Sequence, residues 1–362
     1  MKYLFHLFPS QEFDPVLQPD SLRSEGFVHL SSSAQLLSTA DRYYRGVTDL
    51  KLMVLATNKL GDNLIWEDLY DRGQEFPHLY DPIPASAVVA VVAFEWGEGG
   101  FVWPHLLKAL QSPLMEPLTR ETALIEPSER FPQKKLPSKC LLCFFSEVLD
   151  GLVQQKGCRR LEGLGSEIGA TEVFTLPLEG ETIAVCHPGV GGALAAATLE
   201  ELIALGCRDF LLCGGAGSLL SGRALGHLIL VDRACRDEGT SHHCLEPDPW
   251  VNLDTTFLQQ ARTGLTSREV PFEVGATWTT DALYREVPSR ISDRRKAGCL
   301  TVEMEVASLA SVCLFREARM AALLYCGDDV GSEQWDFRDW TSAHTVRERL
   351  FWLGIELLHQ FS

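Results

Sequence analysis

Apolar positions fall into short blocks along the whole chain, and the spacing of those blocks changes across a proline-punctuated stretch in the middle. Before that stretch, Tyr3–Phe8, Gly26–Leu30, Leu50–Thr57 and Ala87–Phe94 read as strands. Ser33–Tyr44 carries a helical period behind a serine cluster suited to capping it. This pattern predicts a small α+β domain over residues 1–110. Pro113, Pro117, Pro127, Pro132 and Pro137 then break any periodicity, so residues 111–138 read as a linker or an extended strap. Beyond it, strands and helices alternate. Cys140–Phe145, Thr182–Cys186, Asp209–Cys213, His227–Val231 and Ala321–Cys326 read as strands. Val148–Lys156, Ala193–Leu205, Thr301–Leu314 and Thr345–Leu358 read as helices, the first two closed by Gly157 and Gly206. Alternation of this kind predicts an α/β domain over residues 139–362, a mainly parallel sheet with helices on both faces.

Composition narrows the partners. The chain has 362 residues, enough for two cores, with 46% hydrophobic and 22% charged residues, a globular balance. A net charge of -17 argues against nucleic acid or an anionic membrane as the main partner, while leaving room for a small ligand held by a local cluster of donors. No apolar run reaches the length of a membrane span. The apolar start, Met1 to Phe8, is followed by Pro9, Glu12 and Asp14 and reads as a first strand and not a signal peptide, so a cytoplasmic location is expected. Eleven cysteines, an odd and scattered set, sit mostly in apolar runs and read as buried core residues in a reducing compartment. Neither the Cys140/Cys143 pair nor His242-His243-Cys244 is expected to bind a metal.

Four segments carry candidate chemistry. His187-Pro-Gly189-Val-Gly191-Gly192 stands between a strand and an alanine-rich helix, where free amides at a helix start suit an anion or simply a tight turn. Gly214-Gly215-Ala216-Gly217 follows the next strand and reads as a second glycine turn. Two such turns at one end of adjacent strands would line a crevice. Glu303-Met304-Glu305 opens a predicted helix, where acidic residues suit the dipole whether or not they bind a ligand. Thr280-Asp281 reads equally as a helix cap.

Taken together in this order and spacing, Pro-Gly-Val-Gly-Gly, Gly-Gly-Ala-Gly-Ser-Leu, Asp237-Glu-Gly-Thr-Ser-His-His, Thr-Thr-Asp-Ala-Leu-Tyr-Arg-Glu and Val-Glu-Met-Glu resemble the nucleoside phosphorylase family, its uridine and hexameric purine branch, with the nucleosidases as relatives. The resemblance covers roughly residues 139–360 and implies a three-layer α/β/α fold. It implies that Glu305 binds the ribose hydroxyls, with Met304 packed on the sugar and Glu303 beside them. It also implies that Asp281 protonates the leaving base, with Thr280, Tyr284, Arg285 and Asp328 around that base. Two arginines that hold phosphate in phosphorolytic members have no counterpart: their positions fall in Phe144-Phe145-Ser146-Glu147 and at Leu212 and Gly215. Phosphate would then fall to His187, the amides of Gly189, Gly191 and Gly192, Ser146, or an arginine brought in by the fold. Glu147 stands where nucleosidases carry a glutamate that activates water. The resemblance therefore implies an enzyme cleaving the N-glycosidic bond of a purine or related nucleoside. Phosphorolysis to free base and ribose 1-phosphate comes first, hydrolysis through Glu147 second, and a nucleoside-binding module without turnover third. No cofactor is implied beyond inorganic phosphate as co-substrate, and a homo-oligomer is expected.

Residues 1–103 resemble domain-of-unknown-function family 952, grouped with ADP-ribosyltransferase-like folds. The matching residues are His6, Glu25-Gly-Phe-Val-His29-Leu-Ser31, Trp66-Glu67 and Phe76-Pro-His78-Leu-Tyr80. His6, His29, Ser31, Glu67 and His78 are its candidate site. The resemblance implies an NAD- or ADP-ribose-like ligand, beside the plainer reading of a polar cluster in a scaffolding module.

Overall fold

The structure is a computed structural model. It describes every residue except 1–2, 11–16, 70, 72, 98, 105–113, 115–117, 120, 134, 153, 156, 168 and 362, and the side chains of 162, 163 and 166. The chain divides into two compact units, Met1–Glu116 and Pro117–Ser362. Within the predicted linker, residues 111–113, 115–117, 120 and 134 lie outside the described residues. The part that is described includes a short helix, Pro127–Arg130, with proline in its first turn, where its missing amide costs nothing.

In the N-terminal unit Leu50–Ala56 is the middle strand of an antiparallel sheet, flanked by Tyr3–Pro9 and Val88–Ala93. A second sheet runs Val28–His29, Phe76–Leu79, Leu64–Glu67. Pairing between Phe5 and Ser31 joins the two. The helix is Leu36–Tyr43, shorter than predicted, and no serine oxygen caps it: Ser32 instead donates its amide and hydroxyl to the Gln35 side chain. Alternation along the first strand sends Leu4 and Phe8 to one core and Phe5 and Leu7 to the other.

The C-terminal unit is a ten-stranded mixed sheet between two helical layers. Gly192–Leu205 and Val306–Phe315 pack on one face; Ser146–Leu152, Thr255–Ser267 and His344–Gln360 pack on the other. The sheet is not mainly parallel: its strand pairings are five parallel and five antiparallel. One source of antiparallel pairing is a hairpin, Arg159–Ser166 with Gly169–Leu178, absent from the sequence reading because its residues carry little apolar alternation. Another is curvature. Asp209–Ser218, Cys299–Glu303, Phe272–Thr280, Leu228–Asp237 and Arg319–Asp329 pair in sequence and close into a ring.

Three local expectations change. Gly214–Gly217 is not a turn but the continuation of the strand Asp209–Ser218, which parallel pairing with Arg319–Asp329 carries past the glycines. That strand is also not adjacent to Glu181–Cys186, because Lys139–Cys143 lies between them. The segment from Thr301 is not all helix: Cys299–Glu303 is a strand, suited to the β-branched Thr301 and Val302, and the helix begins at Val306. All eleven cysteines are free, and Cys140 and Cys143 face opposite cores, as odd spacing on a strand requires. Among the described residues no helix is long and apolar enough to cross a membrane.

Candidate active site

The strand-to-helix junction at Glu303–Val306 is buried, and two carboxylates are buried with it. Glu303 is pinned. One of its oxygens accepts the amides of Glu305 and Val306, both at 2.7 Å, and the other accepts the hydroxyls of Thr279 (2.5 Å) and Thr277 (3.3 Å). This carboxylate therefore serves as the cap of the helix that follows. Glu305 is less committed: its Oε1 accepts the amide of Gly191 at 2.6 Å. Burial pushes both carboxyls up. Four donors pull Glu303 back, whereas the Glu303 charge pushes Glu305 further.

Glu303, Met304 and Glu305 form part of the wall of a cavity of about 310 Å³. Gly215 and Gly217 line it from the neighbouring strand, and Asp328 from the end of Arg319–Asp329. Asp328 is half-buried and accepts the Trp335 indole N–H at 2.7 Å; burial raises its carboxyl above the usual range. Glu286 is pushed up to about 7 by burial and by Asp328's charge. Phe144, Phe145, Tyr325 and Trp340 supply aromatic surface.

Arg347, from the C-terminal helix, is the one cation lining the cavity among the described residues. It donates to the Tyr325 hydroxyl at 3.0 Å and to Glu147 at 2.8 Å, with its guanidinium over the rings of Phe145 and Trp340. Nothing in the local sequence singles it out, since an arginine in an amphipathic helix reads as a solvated charge. Only the fold brings the first turn of its helix, His344–Gln360, to the cavity.

The structure thus brings Glu303, Met304, Glu305, Gly215 and Asp328 together. Gly191 joins them through its amide, while Val190, 64% exposed, stands in the cavity lining. Gly189 is held by its neighbours: its amide donates to His187 Nδ1, its φ is +94°, and a Cβ there would lie 2.3 Å from Leu194. Gly192 abuts Ser308, whose Oγ would lie 2.2 Å from a Cβ. His187 stands one layer back, its ring against Phe144, and burial lowers its pKa.

Other predicted residues do not line this cavity. Asp281 is exposed and accepts the Gly239 amide at 2.9 Å. Thr280 is buried and accepts the Ala282 amide. Tyr284 is 94% exposed and Arg285 is exposed, while their neighbour Leu283 does reach the cavity. Glu147 lines a separate cavity with Val148, His344 and Trp352, and the Arg347 guanidinium helps to hold its carboxyl below the usual range. In the N-terminal unit His29, Ser31 and His78 line one cavity, whereas His6 faces the opposite side of its strand and Glu67 stands behind His78.

Comparison with known proteins agrees with this architecture. The sequence profile of the phosphorylase superfamily matches residues 140–349, and that of a protein family of unknown function, DUF952, matches residues 9–91. The guanosine phosphorylase of Halorubrum lacusprofundi is 26% identical over 171 residues, covering 46% of this chain and 71% of that protein. The uridine phosphorylase of Thermococcus kodakarensis is 30% identical over 144 residues, 36% of this chain and 52% of its own length, so the chain spans about half of that relative. The crystal structure of an AMP nucleosidase from Bacteroides thetaiotaomicron superposes with a TM-score of 0.52 at 21% identity, over 64% of this chain and 96% of that one.

Proposed function

Because the chain belongs to the phosphorylase superfamily through its C-terminal unit, we propose that this unit cleaves the N-glycosidic bond of a nucleoside with phosphate as the nucleophile, giving free base and ribose 1-phosphate. The observation that carries the reading is Glu305, a buried carboxylate with an oxygen to spare, set in the wall of a cavity that Met304 and a half-buried acid, Asp328, also line. A carboxylate accepts both vicinal hydroxyls of a ribose, and those donors would favour its charged form despite burial. The charge then faces the cationic sugar that develops as the C1′–N bond breaks.

The electron pair of that bond leaves with the base, and a proton must follow it. Asp328 is the group suited to give that proton, since burial keeps it protonated to higher pH than an exposed aspartate. Asp281, exposed and bound to a backbone amide, is not. Phosphate then attacks C1′. Arg347 is the cation available to it, with Glu147 exchanging places with the incoming anion. Purine nucleosides are the first substrates to try, for Phe144, Phe145 and Trp340 offer surface for a two-ring base.

A second reading, hydrolysis, has its own observation: the charge of Arg347 is already met by Glu147, so water would need no further neutralisation. Following base release from a nucleoside panel with and without inorganic phosphate distinguishes them. Release that requires phosphate supports the first reading; equal release without it replaces the first with the second.

A further inference from the structure

The N-terminal unit holds a cavity of about 370 Å³, within the usual range for small-molecule sites. Its wall follows from strand register. Phe5 lies opposite Ser31, and His29 lies opposite His78; Ser31 is two residues after His29 and Phe76 two before His78, so all five share one sheet face. Tyr43 and Tyr44, at the end of the helix, complete an aromatic surround.

Two buried polar groups in this wall are incompletely used. Ser31 is 4% exposed; its backbone pairs with Phe5, and no partner takes its hydroxyl among the described residues. His78 is 1% exposed, and its Nδ1 meets Glu67 at 3.1 Å. Glu67 also accepts the Tyr80 hydroxyl at 2.5 Å. A carboxylate at Nδ1 fixes the proton there, which leaves Nε2 as an acceptor. Burial lowers the His78 pKa, so the ring is neutral at pH 7.

The charge of the lining restricts the occupant. Glu25 stands in the wall beside His29, with Glu67 behind His78, and no lysine or arginine lines the cavity among the described residues. A pyrophosphate or carboxylate would enter without a cation to meet it, which disfavours the ADP-ribose-like ligand that resemblance implies. We propose that this cavity is a binding site for an uncharged or cationic aromatic compound that stacks among Phe5, Tyr43, Tyr44 and Phe76 and donates an N–H or O–H to His78 Nε2 beside the Ser31 hydroxyl.

Three isosteric probes test the charge rule on the full chain: benzamide (neutral), benzamidine (cationic at pH 7) and benzoate (anionic), titrated by calorimetry. Fragments of this size bind with Kd on the order of 1 mM. Benzamide and benzamidine are expected to bind, with benzoate at least tenfold weaker. Ser31→Ala and His78→Phe should each weaken benzamide about tenfold. Ser31→Ala removes one exposed-to-cavity oxygen and should leave the melting temperature unchanged, so a loss of binding in it is not a loss of fold. Benzoate binding as tightly as benzamide, binding indifferent to both substitutions, or no binding by any probe would each overturn the proposal.

Discussion

Glu305 and Asp328 are asked to do opposite things with a proton, and single substitutions separate them. Glu305→Gln keeps an acceptor for the Gly191 amide but loses the charge that faces the sugar, so turnover should fall about 10²-fold or more with a raised KM for nucleoside. Asp328→Asn should lower kcat by about 10²–10⁴-fold on natural nucleosides, and far less on substrates with activated leaving groups. Asp281→Asn should leave kcat within a few-fold, since the side chain only holds a loop amide. Equal losses for Asp328 and Asp281 on both substrate types would remove the acid role from Asp328. Stability should move against activity. A carboxyl with a higher pKa folded than unfolded binds more protons when folded, so it costs stability as pH rises from its unfolded value through the raised one. Glu305→Gln should therefore raise the melting temperature by about 2–4 °C at pH 8–9 and leave it unchanged near pH 4. At this scale the sequence was informative where a short motif carried the chemistry: Glu303, Met304 and Glu305 meet in the cavity. Thr280, Tyr284 and Arg285 do not line that cavity, because a contiguous motif does not say which of its side chains turn inward.

Among the elements, the strand-to-helix turn at Pro188–Gly192 matters most, because it delivers an amide to Glu305 while packing against the helix Val306–Phe315. Ser308 Oγ fills the space beside Gly192 and is itself bound to Glu238 at 2.6 Å. Gly192→Ala should destabilise the unit by about 1–3 kcal/mol through this overlap. Combining it with Ser308→Ala should cost less than the two single changes together, as denaturant unfolding of the four proteins would reveal. Additive costs would show that the clash is relieved elsewhere. Starts of strands with strong apolar runs were legible, as Asp209 and Leu228 illustrate, but their ends were not, since these strands run on past Cys213 and Val231 to Ser218 and Asp237. The helix Thr255–Ser267 and the strand Phe272–Thr280 were not, since their apolar residues are sparse and the helix start rests on a side-chain cap, Asp254 accepting the Phe257 amide at 2.8 Å. The Thr301 segment shows the converse failure: a helical period continued backward through a strand because a buried glutamate, and not a Ser or Asp, makes the cap.

For the molecule as a whole, the net charge of -17 and Arg347, the one cation lining the cavity among the described residues, set the electrostatics of phosphate use. Arg347→Met should raise the KM for phosphate by about 10–100-fold with a small change in the KM for nucleoside. A larger effect on nucleoside would show instead that the arginine holds the aromatic wall. Closed dimers are the commonest assembly, and we propose a dimer or larger, so light scattering should give a mass at least twice 40.2 kDa. A fully active monomer would contradict that. The two-part organisation was visible as a change of periodicity, but the placing of Arg347 was not, because it depends on where a helix far along the chain comes to lie. The most direct test of the central claim incubates the protein with inosine, guanosine, adenosine and uridine, with and without inorganic phosphate, and separates the products by chromatography. The account predicts free base and ribose 1-phosphate in stoichiometric amounts only when phosphate is present, abolished by Glu305→Gln. No base released from any of the four, with phosphate present and the protein folded, would contradict it.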